Sequence, residues 1–103
     1  MKYVVFEEWS YVEPFYERCI IRKATKDDKE WDGWNFVSGA GRDGARINIY
    51  NGLEKAIIRS GYNPYHIQFD PDINKTQISK ILSKYVWNQQ IGLVKKEKQY
   101  DNN

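Results

Sequence analysis

The chain has 103 residues, of which 41% are hydrophobic and 16% aromatic, and its formal net charge is +2. That is enough apolar material for one small core and too little charge to force disorder, so we predict a single domain over 1–103 with a frayed polar tail at about 97–103. No apolar run approaches the roughly 18 residues of a membrane span, and acidic residues interrupt the N-terminal stretch that would be apolar in a signal peptide. We therefore expect a cytoplasmic protein.

Cysteine and histidine occur once each, which argues against a disulfide framework or a metal site built on these residues. We predict Cys19 to be a buried apolar side chain and His66 to be a packing or surface residue. The other candidates for chemistry are carboxylates in predicted loops, which are usually solvated: Asp27, Asp28, Glu30, Asp32, Asp70 and Asp72. The prediction is a non-catalytic protein with no cofactor and no metal.

The first predicted elements are strands at 2–9 and 15–24, because KYVVFEEW and FYERCIIRKA are rich in aromatic and β-branched residues with partial alternation. The polar segment TKDDKEWDG that follows is predicted to be an exposed loop. If the two strands pair antiparallel, opposite charges can meet across the ladder, between Glu7 or Glu8 and Arg18 or Arg22.

A glycine-rich segment, SGAGRDG, carries the spacing G-x-G-x-x-G at Gly39, Gly41 and Gly44. In a dinucleotide-binding fold this spacing lies between a strand and a helix. Here the next segment, 45–50, alternates with a period of two and is predicted to be a strand, paired with a strand in WNFVS. The glycines are therefore predicted to form a hairpin turn, with Arg42 at its tip as a minor phosphate contact.

A short helix is predicted at 52–60. Asn51 and Glu54 have the spacing of a capping box, and Gly61 is suited to the left-handed position after the last turn. Beyond the turn at Asn-Pro, the segment YHIQF predicts a strand at 65–69.

The longest predicted helix covers 74–87, with Asn74 and Gln77 as its capping box. One face is an apolar stripe: Ile78, Ile81, Leu82, Tyr85 and Val86. The opposite face carries Lys, Thr and Ser, with no carboxylate. The segment IGLV, 91–94, is predicted to be a short terminal strand. The expected fold is α+β, with a mainly antiparallel sheet of about five strands, one short helix and one longer helix.

Charge is distributed unevenly along the chain. Residues 1–74 carry 10 Lys and Arg against 12 Asp and Glu, whereas residues 75–103 carry 6 Lys against two acids. A basic helix face followed by a basic ribbon favours an anionic partner. The segments TQISKILSKYV and IGLVKKEKQYD resemble the recognition helix and wing of winged-helix proteins, although the extended segment YNPYHIQFDPD stands where that family has helices.

We therefore expect a small DNA- or RNA-binding protein that uses the C-terminal helix and ribbon. Lysine ammonium groups suit phosphates, whereas Gln and Ser suit base edges. The expected phosphate contacts are Lys75, Lys80, Lys84, Lys95, Lys96 and Lys98, with Arg42 as a minor one, and the expected base contacts are Gln77, Ser79 and Ser83.

An alternative follows from the aromatic content, since sixteen aromatic residues are more than a core of this size can bury. Exposed aromatic side chains can stack single-stranded bases, but they also dominate protein interfaces. They would suit a protein interaction module, an inhibitor of a larger host enzyme or a homodimer. Abundant lysine and asparagine with few alanines indicate an AT-rich coding genome, as in a virus or mobile element.

Overall fold

The computed structural model describes residues 1–11, 13, 15–35 and 43–96. Its elements in chain order are the strands β1 (Lys2–Ser10), β2 (Tyr16–Lys23), β3 (Trp31–Asn35) and β4 (Asp43–Asn51), the helix α1 (Leu53–Ser60), a 3-10 turn (Pro64–His66), the strand β5 (Ile67–Phe69), the helix α2 (Lys75–Leu82), and the strands β6 (Tyr85–Asn88) and β7 (Gly92–Lys95). The predicted α+β class is confirmed.

Five strands form one sheet in the order β3-β4-β1-β2-β5, and β6 and β7 form a separate two-stranded hairpin. The β1–β2, β1–β4 and β3–β4 pairs are antiparallel, but β5 runs parallel to β2. The sheet is therefore mixed, with three antiparallel strand pairs and one parallel pair. A parallel neighbour needs a long crossover, and the chain between β2 and β5 provides it through β3, β4 and α1.

The core lies between one face of this sheet and the two helices. Tyr3 and Val5 on β1 and Cys19 and Ile21 on β2 point to this face and are buried. They pack against the apolar sides of the helices, which contribute Leu53, Ala56, Ile57 and Ile81. Cys19 is buried as predicted, and its burial raises the pKa of the thiol to about 12. Its chemistry is therefore that of a small apolar side chain.

On the opposite face of the sheet, four apolar side chains line up across four strands. The register places Ile47 beside both Trp31 and Phe6, and Phe6 beside Ile20. Trp31 is 54% exposed and the other three are half-buried. We call Trp31, Ile47, Phe6 and Ile20 the apolar row. Both described helices pack on the other side of the sheet.

The neighbouring row of the same face is covered by the chain itself. Val4, fully buried, lies between Arg22 and Ile49 in the register. Residues 24–30 join β2 to β3 and must cross the β1–β4 pair to do so. Asp28 binds Arg22 through two hydrogen bonds of 2.9 and 2.7 Å, and Glu30 accepts a hydrogen bond from the Ile49 N–H at 3.0 Å. The Arg22 guanidinium, with help from Thr25, holds the pKa of Asp28 well below its usual range.

Several predicted boundaries are wrong at strand ends. β3 begins at Trp31, inside the segment predicted to be a loop, because Trp31 and Gly33 pair with Ile47 and Ala45 of β4. The strand predicted at 65–69 is shorter, since Pro64–His66 form a 3-10 turn capped by the Asn63 side chain. Of the charge pairs expected between β1 and β2, Glu8 and Arg18 meet at 2.8 Å, whereas Arg22 binds Asp28.

The cap predicted for α1 is also wrong. Asn51 is the last residue of β4, where it pairs with Lys2, and the N-cap is Gly52, with φ of 102°. That backbone conformation is accessible to glycine but strained for other residues, so Gly52 turns the chain directly from strand to helix. Gly61 does end the helix in the left-handed conformation, with φ of 74°, as predicted.

The helix predicted at 74–87 is shorter than expected, and with eight residues it is as long as α1. Asn74 caps its start by accepting hydrogen bonds from the N–H groups of Thr76 and Gln77, but α2 ends at Leu82. Residues 85–88 form β6 and pair with β7 across a turn, in which Asn88 Oδ1 accepts hydrogen bonds from two backbone N–H groups and Gly92 has φ of 89°. Tyr-Val-Trp has a high propensity for strands, and the turn that follows it allows a hairpin. The segment therefore forms a strand instead of continuing the helix. The terminal strand predicted at 91–94 is present as β7.

The glycine segment connects two antiparallel strands, β3 and β4, whose last described pair is Asn35 with Asp43. Gly39, Gly41 and Arg42 lie outside the described residues. Gly44 lies in β4 and faces Trp9, which is 8% exposed. A Cβ atom at position 44 would overlap the indole ring of Trp9. The third glycine of the motif thus serves close packing on an aromatic ring.

We expect Gly44→Ala to lower the free energy of unfolding by about 1–3 kcal/mol, because a buried ring must move to admit the methyl group. Gly33→Ala is the matched control, since its methyl group would meet the ring of Trp31, which is largely exposed and can turn away. Urea denaturation of both variants measures the difference. Equal losses in the two variants would contradict this account of Gly44.

Candidate functional site

Cationic side chains of both helices and the hairpin form one exposed surface. Gly52 and Glu54 line two adjoining surface depressions, one with Lys55 and Arg59 of α1 and the other with Lys80 of α2. Lys55, Arg59, Lys80 and Lys84 therefore border one region. Together with the exposed lysines of the same segments we call this set the basic surface: Lys55, Arg59, Lys75, Lys80, Lys84, Lys95 and Lys96. The segments that carry it, 52–60 and 75–96, contain one carboxylate, Glu54.

Glu54 neutralises one of these lysines. Its Oε1 lies 2.9 Å from Lys84 Nζ, and its Oε2 accepts a hydrogen bond from the Tyr85 hydroxyl. The bond from Tyr85 and the charge of Lys84 lower the pKa of Glu54, which keeps it ionised. Lys84 is thus ion-paired with a carboxylate of α1.

The remaining predicted lysines of the described chain are exposed and unpaired. Lys75, Lys80, Lys95 and Lys96 have no carboxylate oxygen within 4.0 Å among the described residues. Their charge therefore faces solvent, where it can attract an anion. Lys98 and Arg42 lie outside the described residues, so their predicted phosphate contacts stay predictions.

The predicted base contacts differ from one another. Gln77 and Ser79 are exposed on α2. The Ser83 hydroxyl donates a hydrogen bond of 2.7 Å to the Lys80 carbonyl, so this donor is already used to close the end of the helix. Ser83 keeps only its acceptor capacity for a ligand.

Two members of the basic surface were not predicted from the sequence. Lys55 and Arg59 stand four residues apart on α1 and are both exposed. Their i, i+4 spacing on a predicted helix was a usable signal, because such residues share a face. The excess of positive charge beyond residue 74, on which the prediction was based, does not include these two residues.

The hairpin follows α2 directly, the succession that the winged-helix resemblance implies for this segment. The five-stranded sheet that precedes α2 is not part of that resemblance. Tyr85, Trp87 and Leu93 are half-buried on the inner side of the hairpin, while Val86 and Val94 pair on its exposed side.

A cleft opens on the helix side of the sheet, beyond the apolar core. Its floor carries Glu7 and Glu17, and its walls come from the turn after α1, the 3-10 turn, β6 and the tip of the hairpin. Its volume is about 550 Å³. We call it the acidic cleft; its lining residues are Glu7, Glu17, Ser60, Gly61, Tyr62, Asn63, His66, Trp87 and Gln89.

Glu7 is a poorly satisfied carboxylate. Its side chain is 14% exposed and its nearest cationic group, Arg46 Nη1, lies 3.8 Å away. It accepts no hydrogen bond from any described residue. Arg46 is also shared with Asp32 at 3.4 Å and lies over the Trp9 ring at 5.6 Å. Burial raises the pKa of Glu7, and the charge of Arg46 opposes this only in part.

Glu17 is held by a tyrosine from the other side of the cleft. The Tyr62 hydroxyl donates a 2.7 Å hydrogen bond to Glu17 Oε2, and burial together with this bond raises the pKa of the Tyr62 hydroxyl. Ser60 fixes the turn that positions Tyr62, because its hydroxyl donates to the Ile57 carbonyl at 2.7 Å and accepts from the Tyr62 N–H at 3.2 Å.

Among the described residues, no group of three or more His, Cys, Asp or Glu side chains is arranged to hold a metal ion. Neither described helix is long and apolar enough to cross a membrane. Comparison with known proteins finds no family model, curated protein or solved structure that matches the chain.

The raised pKa of Glu7 gives a pH-dependent prediction. At a pH above 4.5, the ordinary pKa of this group, Glu7 ionises more readily in the unfolded chain than in the folded protein. Glu7 therefore lowers the stability of the fold as the pH rises. We expect Glu7→Gln to melt at a higher temperature than the wild type at pH 8, with the gain shrinking as the pH falls toward 4.5. Thermal denaturation across this range measures it.

Glu8→Gln is the matched control, because Glu8 faces the other side of the sheet and is ion-paired with Arg18. This substitution should leave the melting temperature unchanged or lower it. A Glu7→Gln protein less stable than the wild type at pH 8 would show that the Arg46 contact outweighs the cost of burial.

Proposed function

We propose that this protein binds nucleic acid, without catalysis, through the basic surface. The observation that carries the proposal is the charge of segments 52–60 and 75–96, where seven cationic side chains accompany one carboxylate. Six of the seven make no ion pair with a described residue. Such unpaired lysines favour binding, because each phosphate that they neutralise releases counterions from the nucleic acid.

The side chains between the lysines favour nucleic acid over other polyanions. Thr76, Gln77 and Ser79 are exposed on α2 and offer hydrogen-bond donors and acceptors suited to base edges and phosphates. A single helix with these residues fits the width of a DNA major groove. A cytoplasmic location and a viral or mobile-element origin stay predictions from composition.

The test is a salt titration of binding to duplex and single-stranded DNA and to RNA. We expect affinity to fall steeply with salt, and Lys75→Ala/Lys80→Ala to reduce the slope of log K against log [salt] by about 0.9 per lysine for duplex DNA. Fluorescence anisotropy at several salt concentrations measures the slope. Both lysines are exposed and unpaired, so folding should be unaffected.

Lys26→Ala/Lys29→Ala is the matched control, with the same loss of charge on the segment that crosses the opposite face of the sheet. It should bind like the wild type. Undetectable binding to all three nucleic acids, or equal losses in the two double variants, would contradict the proposal. Binding to phosphatidylserine vesicles alone would assign the surface to a membrane instead.

A second candidate function, protein association, is favoured by the apolar row. We propose that a second copy of the chain covers it. The charges that border the row are neutralised within the chain, by the Glu8–Arg18 pair at 2.8 Å and the Arg22–Asp28 pair at 2.7 Å. Two copies can therefore approach face to face without net repulsion, as sheets do in a sandwich.

Sedimentation velocity over a concentration series tests this association. We expect a dimer of the wild type and a monomer of Ile47→Lys, because the substitution would bury an unpaired charge at the centre of the row. Ile58→Lys, at an exposed apolar position of α1, is the control and should still dimerise. A wild type that remains monomeric at every concentration would refute the second function.

A further inference from the structure

The acidic cleft contains acceptors that the described protein does not satisfy. The Glu7 carboxylate lies on the cleft floor, 14% exposed, and its nearest cation among the described residues is 3.8 Å away, beyond hydrogen-bond distance. A buried carboxylate usually accepts several hydrogen bonds, because leaving it without donors costs free energy. Glu7 is nevertheless open to the cleft, whose lining it forms. A donor that enters the cleft would satisfy it.

A second acceptor lies on the adjacent strand. Glu7 and Glu17 face the same side of the sheet, since Glu7 pairs with Cys19 and Glu17 with Trp9 in the β1–β2 register. Tyr62 occupies Oε2 of Glu17 and fixes this carboxylate in place. The other oxygen of Glu17, Oε1, accepts no hydrogen bond from a described residue. The floor therefore presents two carboxylates to one space, while Arg46, the cation that the described chain places next to Glu7, is engaged by Glu7, Asp32 and the Trp9 ring.

The cleft lining also contains an aromatic side chain. Trp87 projects from the inner side of the hairpin into the cleft lining, beside Asn63 and His66. An indole face attracts a cation that lies within about 6 Å of it, and the attraction grows as water is excluded. Two carboxylates and an indole that line one cleft suit a flat or compact organic cation.

The lining does not suit a metal ion. It holds Glu7, Glu17 and His66, yet these three are not grouped as ligands around a common point. The cavity of about 550 Å³ is also far larger than a metal site and falls within the range of small-molecule sites. The cation that fits is therefore an organic one.

We propose that the acidic cleft binds an organic cation carrying a guanidinium or primary ammonium group, held by the carboxylates of Glu7 and Glu17 and covered by Trp87. Guanidinium fits best, because its planar fork can bond a carboxylate through two N–H groups while its face stacks on an indole. The group belongs either to a free small molecule or to an arginine side chain of a peptide. This site is separate from the basic surface and does not depend on nucleic-acid binding.

The experiment compares three probes with the full chain. They are agmatine, an end-capped glycine pentapeptide with a central arginine, and the same peptide with citrulline, which keeps the shape of arginine but lacks its charge. Two-dimensional ¹H–¹⁵N NMR follows the Trp87 indole and the backbone amides of Tyr62, Asn63 and Gln89. We expect saturable shifts at these positions with agmatine or the arginine peptide, and none with citrulline.

The two charged probes distinguish the source of the cation. Tighter binding of agmatine indicates a free small molecule, and tighter binding of the arginine peptide indicates a protein partner. Either result supports the site. We expect Glu7→Gln and Glu17→Gln each to lower the affinity for the preferred probe by about tenfold or more, because each removes a charged hydrogen bond. Glu8→Gln, on the other face of β1, should bind like the wild type.

Three outcomes would overturn the proposal. They are no shift with either charged probe, equal shifts with the citrulline peptide, and shifts located away from the cleft. Since Glu7→Gln is expected to be more stable than the wild type at neutral pH, its loss of binding would not reflect unfolding. Loss of affinity in Glu8→Gln equal to that in Glu17→Gln would likewise count against the cleft.

Discussion

Strand β1 is paired along its length with β2 on one side and with β4 on the other, and the register of this strand determines both faces of the sheet. Successive strand residues point to opposite faces, so Tyr3 and Val5 can enter the core only if Glu7 points the same way. Phe6 must then point to the open face. A slip of one residue would exchange these sets, burying Phe6 and Glu8 under the helices and exposing Val5. The core, the acidic cleft and the apolar row therefore depend on one register.

This constraint explains why a carboxylate is half-buried beside an apolar core. Glu7 continues the face that Tyr3 and Val5 begin, at the point where the helices no longer cover the sheet. Arg46, opposite Glu7 on β4, offsets part of the cost but also contacts Asp32 and the Trp9 ring. The Trp9 ring in turn packs closely against Gly44. Gly44, the third glycine of the G-x-G-x-x-G spacing, thus serves the packing of the Trp9 ring, over which Arg46 lies.

Local signals in the sequence predicted the local features well. Alternation located β1 and β2, and the caps at Asn74 and Gly61 are where the sequence places them. The α2 boundary failed because Tyr85 and Val86 continue the apolar stripe of Ile78, Ile81 and Leu82. The same residues also suit a strand, and only the pairing with β7 distinguishes the two. The parallel position of β5 is likewise a matter of tertiary pairing, which periodicity does not encode.

The basic surface and the acidic cleft also differ in whether local sequence predicts them. The lysines of the basic surface lie mostly in one segment, so a charge count along the chain located them, although it missed Lys55 and Arg59 and the pairing of Lys84 with Glu54. The acidic cleft gathers side chains from β1, β2, the turns around residues 60–66 and the hairpin. Residues so distant in sequence come together only through the sheet order, and no spacing within the sequence predicts such a cleft.

The two sites nevertheless share one structural attachment, between α1 and β6. At the N-terminal end of α1, Glu54 binds Lys84 and Tyr85, which fixes the start of β6. At the C-terminal end, the turn of Ser60 and Tyr62 lines the cleft together with Trp87 of β6. Tyr85 and Trp87 lie on the same side of the strand, two residues apart. The hydrogen bond from Tyr85 to Glu54 therefore ties the hairpin to α1 beside both surfaces, with Lys95 paired to Tyr85 near the basic surface and Trp87 lining the acidic cleft.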